Sequence, residues 1–168
     1  MRWKTVSVVG LYALLTAPVF SQQPAASQPI NSVCTLEDGK EARISYSPVV
    51  DIPKKQRELQ RDKLWTPGDQ QMTLFTEVRM MLGTTAIAPG AYSLHILPAK
   101  DKWILIVNKD VSGHEYDPGQ DVVRAPMETG QLPDSQPFQL AFSRMKSTQC
   151  SMRIYYGRIG VWAEFNEQ

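Results

Sequence analysis

Short runs of alternating apolar and polar residues recur through this 168-residue chain and restrict the folds that it can adopt. In one such run, Ala42, Ile44 and Tyr46 alternate with charged or polar neighbours, which is typical of a strand with one buried face. Asp38 and Gly39 precede this run and form a strong hairpin signal. Similar runs recur about every ten residues as far as residue 165, and no apolar stripe has the spacing of a long helix.

The alternation predicts an all-β protein, an antiparallel β-sandwich that is jelly-roll-like and has about eight to ten short strands. Trp103–Val107 is continuously apolar, which predicts a central strand covered on both faces. Thr129–Pro137 is polar with two prolines and predicts a loop. Residues 54–63 are highly charged and have only Leu59 as an apolar residue, so we expect at most one short solvated helix or a mobile loop there. A basic patch for an anionic surface is the alternative, although Glu58 and Asp62 dilute it.

The N-terminal residues 1–21 have the pattern of a secretory signal peptide. Arg2 and Lys4 precede the apolar stretch Val6–Ala17, and a plausible cleavage site follows Ser21. The apolar stretch is shorter than the roughly 20 residues that span a bilayer, although a retained membrane anchor is the alternative interpretation. We expect residues 22–31 to be a disordered spacer and residues 32–168 to be a single domain. The predicted location is secreted or periplasmic, with no membrane span after cleavage.

The chain contains two cysteines, Cys34 and Cys150. An exported chain enters an oxidising compartment, where an even number of cysteines indicates a disulfide. Two distant cysteines supply too few ligands for a metal site, and Ser32-Val33 before Cys34 does not resemble a lipid-attachment box. We therefore predict a structural Cys34–Cys150 disulfide. Closing a loop of about 116 residues stabilises the fold by about 4–5 kcal/mol in the chain-entropy model.

Composition and motifs argue against several classes of function. The formal net charge is +1 and the folded part has no basic stripe, so nucleic acid is not an expected partner. The sequence has neither a phosphate-binding glycine loop nor a Gly-x-Ser-x-Gly nucleophile elbow, so no cofactor is expected. His114 lies near Glu115 and Asp117, but this spacing matches no metal-binding motif, and no metal site is predicted.

Several blocks of the sequence resemble a bacterial family of exported proteins, domain of unknown function 2911. The family-like blocks keep their order and spacing over about residues 32–165. They are Leu64–Asp69, Ile87–Leu94, Trp103–Lys109, Tyr116-Asp117 and Asp121–Pro126. The chain departs from the family pattern after Gly68, where Asp69-Gln70-Gln71 replaces the family's own polar residues. The resemblance implies an exported β-rich fold and implies no activity.

The candidate site residues come from polar or aromatic positions out of phase with the predicted core. We predict that Trp65, Asp69, Gln70 and Arg124 line one pocket, with His95 as a further ligand-binding candidate. For Arg124 we favour a structural role, a salt bridge that joins two loops, and ligand recognition is the alternative. Its candidate partners are Asp69, Asp117 and Asp121.

The favoured function is a non-catalytic binding module of the cell envelope, whose ligand is a small molecule, a glycan or a protein. The alternative is an extracytoplasmic hydrolase that acts on an extracellular polymer, and a passive envelope protein is a third possibility. Whether the protein is an enzyme stays open at this stage. Binding predicts a groove lined by aromatic and apolar groups. Catalysis predicts titratable residues with shifted pKa values in one cleft.

Overall fold

The structure is a computed structural model that describes residues 28–48, 62–65, 70–99, 102–113 and 115–168. Its described part contains nine β-strands and one short 3-10 turn, Pro118–Gln120. The strands are β1 (Ile30–Thr35), β2 (Glu41–Tyr46), β3 (Met72–Thr76), β4 (Met80–Leu82), β5 (Thr85–Ile87), β6 (Gly90–Pro98), β7 (Trp103–Asn108), β8 (Asp121–Lys146) and β9 (Gln149–Glu167). The predictions of an all-β fold and of the strand number are confirmed.

Several predicted features fall outside the described residues. They include the whole expected signal peptide, most of the expected spacer and nearly all of the charged stretch 54–63. β1 begins at Ile30, inside the range expected for the spacer. Across the residues that can be described, no helix is long and apolar enough to cross a membrane.

The strands form one antiparallel arrangement in the order β1-β2-β3-β6-β7-β8-β9-β4-β5. β8 belongs to both halves, because its first part pairs with β7 and its remainder pairs with β9. We call β1, β2, β3, β6, β7 and the start of β8 the first sheet, and the rest of β8 with β9, β4 and β5 the second sheet. Most neighbours are consecutive strands, so the connectivity is that of a meander into which the β4–β5 hairpin is inserted.

The two last strands are much longer than the short strands that the sequence predicted. β8 has 26 residues and β9 has 19. The polar segment Thr129–Pro137 was predicted as a loop, and this prediction is wrong because β8 runs through it. The pairing register shifts between Gln131 and Gln136 and again between Gln136 and Gln139. Such bulges tolerate proline, which has no N–H to donate to the ladder.

The apolar phase of the alternating runs forms a single core between the sheets. Ala42 and Ile44 of β2 are fully buried, as their alternation predicts. In β7, Leu105 and Val107 face the core, while Ile106 is equally buried on the other face. The prediction of a central strand covered on both faces is therefore confirmed.

Side chains close the sandwich where β1 and β2 meet β8 and β9. The predicted Cys34–Cys150 disulfide is present, with the two Cα atoms 6.0 Å apart. The Ser32 hydroxyl oxygen accepts a hydrogen bond from the backbone N–H of Phe142 at 2.7 Å and lies 3.4 Å from its carbonyl oxygen. The Tyr46 hydroxyl donates to the carbonyl of Leu140 at 3.2 Å. We call these three contacts the closing seam.

Candidate functional site

Trp65, the aromatic residue of the predicted site, lies in the core. Its backbone N–H donates to the carbonyl of Ile96 at 2.7 Å, which holds the residue against β6. Its indole packs against Trp103, Phe138 and Tyr156, with ring centroids 5.6, 5.8 and 5.4 Å away. Only 8% of the residue is exposed, so the side chain contributes to packing and has little surface left for a ligand.

The polar stretch after Gly68 is described only in part, because Asp69 lies outside the described residues. Gln70 is exposed, and its side-chain oxygen accepts a hydrogen bond from the Ser47 hydroxyl at 2.6 Å. The next residue, Gln71, donates from its side chain to the backbone carbonyl of Asp110 at 3.1 Å. This bond ties the start of β3 to the loop after β7. The predicted single pocket stays a prediction.

His95 and Arg124 lie in one row on the outer face of the first sheet. His95 on β6 pairs with Ile106 on β7, and Ile106 pairs with Arg124 on β8. Their strand neighbours Leu94 and Ala125 belong to the core. Because successive side chains of a strand point to opposite faces, His95 and Arg124 point away from that core.

Tyr116 and Asp121 join this histidine and arginine into one group. The Tyr116 ring lies 4.8 Å from the His95 ring, and its hydroxyl donates to Asp121 Oδ2 at 2.7 Å. Arg124 Nη1 lies 3.3 Å from the same carboxylate oxygen. We call these four residues the His95–Arg124 cluster. Arg124 thus forms a salt bridge with one of its three candidate partners. Tyr116 and Asp121 were not predicted as site residues, although both lie in family-like blocks.

Asn108 fixes the loop that carries Tyr116. Its side-chain amide donates to the carbonyl of Asp117 and to Asp121 Oδ1, both at 2.8 Å. Its side-chain oxygen accepts from the backbone N–H of Asp110 at 2.8 Å. Asn108 is 1% exposed and lies where the β7–β8 register shifts. These bonds are therefore shielded from water, and they set the position of the loop relative to the sheet.

The environment of the cluster shifts the pKa values of two of its residues. Burial lowers the pKa of His95 from its usual 6.5, although the nearby charges of Asp121 and Asp110 oppose this change. The imidazole is therefore neutral at pH 7. Burial and then the hydrogen bond to Asp121 raise the pKa of Tyr116 to about 12. The phenol therefore stays a proton donor to the carboxylate throughout the physiological range.

His95 also contacts a serine, but this serine is buried. Ser93 Oγ lies 3.0 Å from His95 Nε2, the separation of a nucleophile from its base in serine hydrolases. Ser93 is 0% exposed, so its hydroxyl is not available to a polymer at the surface. In the described part of the chain, no group of three or more His, Cys, Asp or Glu residues is arranged to hold a metal ion. His114 itself lies outside the description.

A groove of about 520 Å³ lies on the outer face of the first sheet. The sheet groove is lined by Asn31, Arg43, Ser45, Thr73, Phe75 and Ala91. The guanidinium of Arg43 lies over the Phe75 ring, 4.7 Å from its centroid. A cross-strand row of paired polar residues leads from this groove to the His95–Arg124 cluster. The row consists of Asn31, Ser45, Thr73, Ser93, Asn108 and Asp121.

The fold and the site define a disulfide-bonded, antiparallel β-sandwich-like domain with a polar groove and a charged cluster on one outer face. The chain matches the model of the family described as "Protein of unknown function (DUF2911)" over residues 29–165, and it belongs to this family. The resemblance identified in the sequence is thereby confirmed. No curated protein and no solved structure matches the chain significantly.

Proposed function

We propose that the protein is a non-catalytic binding module of the cell envelope. It binds a polar ligand in the sheet groove, and a glycan fits this groove best. The observation that carries this proposal is the stacked pair of Arg43 and Phe75, beside the small polar side chains of Ser45 and Thr73. An arginine over an aromatic ring keeps its N–H donors in a fixed plane. Hydroxyl and carboxylate groups of a glycan are suitable acceptors for those donors.

The size and the support of the groove agree with this proposal. Its volume of about 520 Å³ lies within the range of roughly 300–1,000 Å³ that is usual for small-ligand sites. The strands beneath it are paired in continuous register, so the lining side chains are held by backbone hydrogen bonds. A preformed site binds with a smaller ordering cost than a mobile loop.

The alternative hydrolase function has less support from the geometry. In the His95–Arg124 cluster the Asp121 carboxylate already accepts hydrogen bonds from Asn108, Tyr116 and Arg124. The hydroxyl that lies 3.0 Å from His95 Nε2 is that of Ser93, which is fully buried. A cluster whose members satisfy one another supports a structural role, because a catalytic base needs an open path to its substrate.

The binding proposal is tested by thermal shift with neutral and acidic oligosaccharides, followed by calorimetric titration of any that raise the melting temperature. We expect a bound oligosaccharide to lose at least about tenfold in affinity for Arg43→Ala and for Phe75→Ala. Arg158→Ala is the matched control, because Arg158 is an exposed arginine that contacts the carbonyl of Pro133 on the second sheet. Unchanged binding by Arg43→Ala would overturn the assignment to the sheet groove.

The same oligosaccharides separate the two functional classes. Incubation with the wild-type protein is expected to produce no new reducing ends, and appearance of such ends would support the hydrolase. If new reducing ends appear, the variants Ser93→Ala and His95→Gln show whether Ser93 and His95 are responsible for the hydrolysis.

The proposal also includes export through a Sec-type signal peptide to a secreted or periplasmic location. The Cys34–Cys150 disulfide supports an oxidising compartment. Mass spectrometry of the protein from a periplasmic or culture-medium fraction is expected to give an N-terminus at Gln22. A chain that keeps residues 1–21 would contradict the predicted cleavage.

A further inference from the structure

The outer face of the second sheet has a smaller pocket of different chemistry. This pocket has a volume of about 350 Å³ and lies between β8 and β9. The aromatic pocket, as we call it, is lined by Gly130, Leu132, Arg153, Tyr155, Gly160 and Trp162, together with Gln131. It shares no lining residue with the sheet groove.

Gly130 makes room for the indole of Trp162, and a second glycine faces it across the strands. Gly130 on β8 pairs with Gly160 on β9. A Cβ atom on Gly130 would lie 3.1 Å from Cζ3 and 3.2 Å from Cη2 of Trp162, closer than such contacts normally are. A Cβ on Gly160 would lie 3.5 Å from Cδ1 of Tyr155. The edge of the indole thus occupies space that a side chain at Gly130 would take, whereas the distance at Gly160 is an ordinary van der Waals contact.

The indole of Trp162 is held in place by a hydrogen bond and is still accessible. Its Nε1–H donates to Glu128 Oε2 at 2.9 Å, and Glu128 is its cross-strand partner. Both Trp162 and Tyr155 are only partly buried, although large apolar rings on a soluble domain are usually covered. A ring that is oriented but partly open to solvent is a preformed stacking surface.

Polar donors lie beside these rings. Arg153 contacts Ser151 Oγ through its Nε at 3.3 Å and Met145 Sδ through Nη2 at 3.5 Å. These contacts orient the plane of the guanidinium, which has five N–H donors in all. Gln131 adds an amide at the same pocket. The pocket therefore combines aromatic rings with hydrogen-bond donors and acceptors at their side.

We propose that the aromatic pocket binds one sugar ring of a glycan, which stacks on Trp162 and Tyr155 and directs its hydroxyl groups to Arg153 and Gln131. A pyranose ring has an apolar face of C–H groups and a rim of hydroxyl groups. In the pocket, the aromatic rings match the apolar face, and Arg153 and Gln131 match the hydroxyl groups. The volume is at the small end of the range of roughly 300–1,000 Å³ for ligand sites. A pocket of this size holds one or two sugar rings. A specific protein partner would instead need a contact surface of about 800 Å² on this protein. The inference does not rest on the function proposed for the sheet groove.

The test is a titration of the full-length protein with glucose, galactose, N-acetylglucosamine and the disaccharide of N-acetylglucosamine. The measurement is the NMR signal of the Trp162 indole N–H, assigned with Trp162→Phe. We expect at least one of these sugars to shift this signal in a saturable way. Arg153→Met keeps the aliphatic length but removes the donors, and it is expected to weaken binding about tenfold.

Two further variants keep the test decisive. Trp162→Ala removes the reporting signal, so its binding is followed by the backbone amide signal of Tyr155 in the same pocket. This variant is expected to abolish binding, and circular dichroism shows whether it folds. Gly130→Val fills the space beneath the indole and leaves Arg153 unchanged, so it should also prevent binding. Arg158→Ala is the control, because Arg158 is an exposed arginine of β9 that does not line the aromatic pocket, and this variant should shift the Trp162 signal as the wild type does. Because the Trp162 signal reports the aromatic pocket, failure at this site is distinguishable from failure at the sheet groove.

Two outcomes would overturn the proposal. One is that no sugar of the panel shifts the Trp162 signal at millimolar concentration. The other is that phenol or uridine shifts it whereas the sugars do not, which would identify a site for flat aromatic ligands.

Discussion

The closing seam and the His95–Arg124 cluster both use side chains to join distant parts of the chain, but they do so in different environments. The seam joins β1 and β2 to β8 and β9 through a disulfide and through bonds from Ser32 and Tyr46 to backbone groups. The cluster joins β6 and β8 to a loop, because the Tyr116 ring contacts the His95 ring and the Tyr116 hydroxyl donates to Asp121.

The two regions differ in burial, and therefore in what a substitution should change. Both cysteines of the seam are fully buried, and their disulfide links the two sheets. Arg124 of the cluster keeps 46% of its side chain exposed, and burial lowers the pKa of His95 in the same cluster. We therefore expect changes in the seam to alter global stability and changes in the cluster to alter mainly the adjoining loop.

Removal of the disulfide has the largest expected effect. The double variant Cys34→Ala with Cys150→Ala should lose about 4–5 kcal/mol of unfolding free energy, because the unfolded chain regains the freedom of a loop of about 116 residues. Urea denaturation of the variant measures this change. Reduced wild-type protein should give a similar value, and a loss below about 1 kcal/mol would show that the seam depends on its hydrogen bonds instead.

Ser32→Ala tests the hydrogen bonds of the seam. The variant leaves the backbone N–H of Phe142 without its partner at a partly buried position, so we expect a loss of about 1–3 kcal/mol. Thr35→Ala is the matched control on the same strand, because the Thr35 hydroxyl bonds only to the exposed Glu41 side chain at 3.3 Å. Equal losses for the two variants in chemical denaturation would contradict a special role for Ser32.

Tyr116→Phe tests the cluster with a smaller expected effect. It removes the hydroxyl that donates to Asp121 and should cost about 1 kcal/mol. Spectrophotometric titration of the tyrosines provides an independent readout. The wild type should contain a phenol that ionises at a pKa of about 12, and the variant should lack it. Hydrogen exchange should become faster in the loop before β8 and stay unchanged in β1.

The pH dependence of stability is the smallest expected effect. The folded pKa of His95 lies below its usual 6.5, so the unfolded chain binds more protons as the pH falls below that value. The contribution of neutral His95 is complete above pH 6.5 and is lost as the pH falls from there towards the folded pKa. His95→Gln should flatten this part of the curve. Because His114 is present in both proteins, the difference between the two curves reports His95 alone.

Much of the fold was predictable, because alternation depends on local residue order. Ala42, Ile44, Leu94 and Ile96 are buried as their period of two requires. The length of β8 was not predictable in this way. Polar residues and prolines after Thr129 have the composition of a loop, and only their pairing with β9 through bulges keeps them in a strand.

The site was less predictable than the fold. His95 and Arg124 were identified as polar positions out of phase with the core, but their connection through Tyr116 depends on how the loop after β7 folds back. Trp65 had the sequence context of a binding residue, yet three aromatic neighbours from β7, β8 and β9 bury it. The aromatic pocket was missed, and the signal that could have found it was the recurrence of glycine and aromatic residues in β8 and β9.

Residue order and composition were sufficient to predict the all-β class, the antiparallel strand pattern, the family and the pairing of the only two cysteines. These follow from period-two burial, from the order of motifs and from the even number of thiols. Which polar residues meet could be seen only in three dimensions, because a contact such as that of Tyr116 with His95 depends on strand register and on how the loop after β7 folds back. A hydrophobic pattern specifies which face of a strand is buried, whereas the register across six strands specifies which polar side chains are neighbours on the other face.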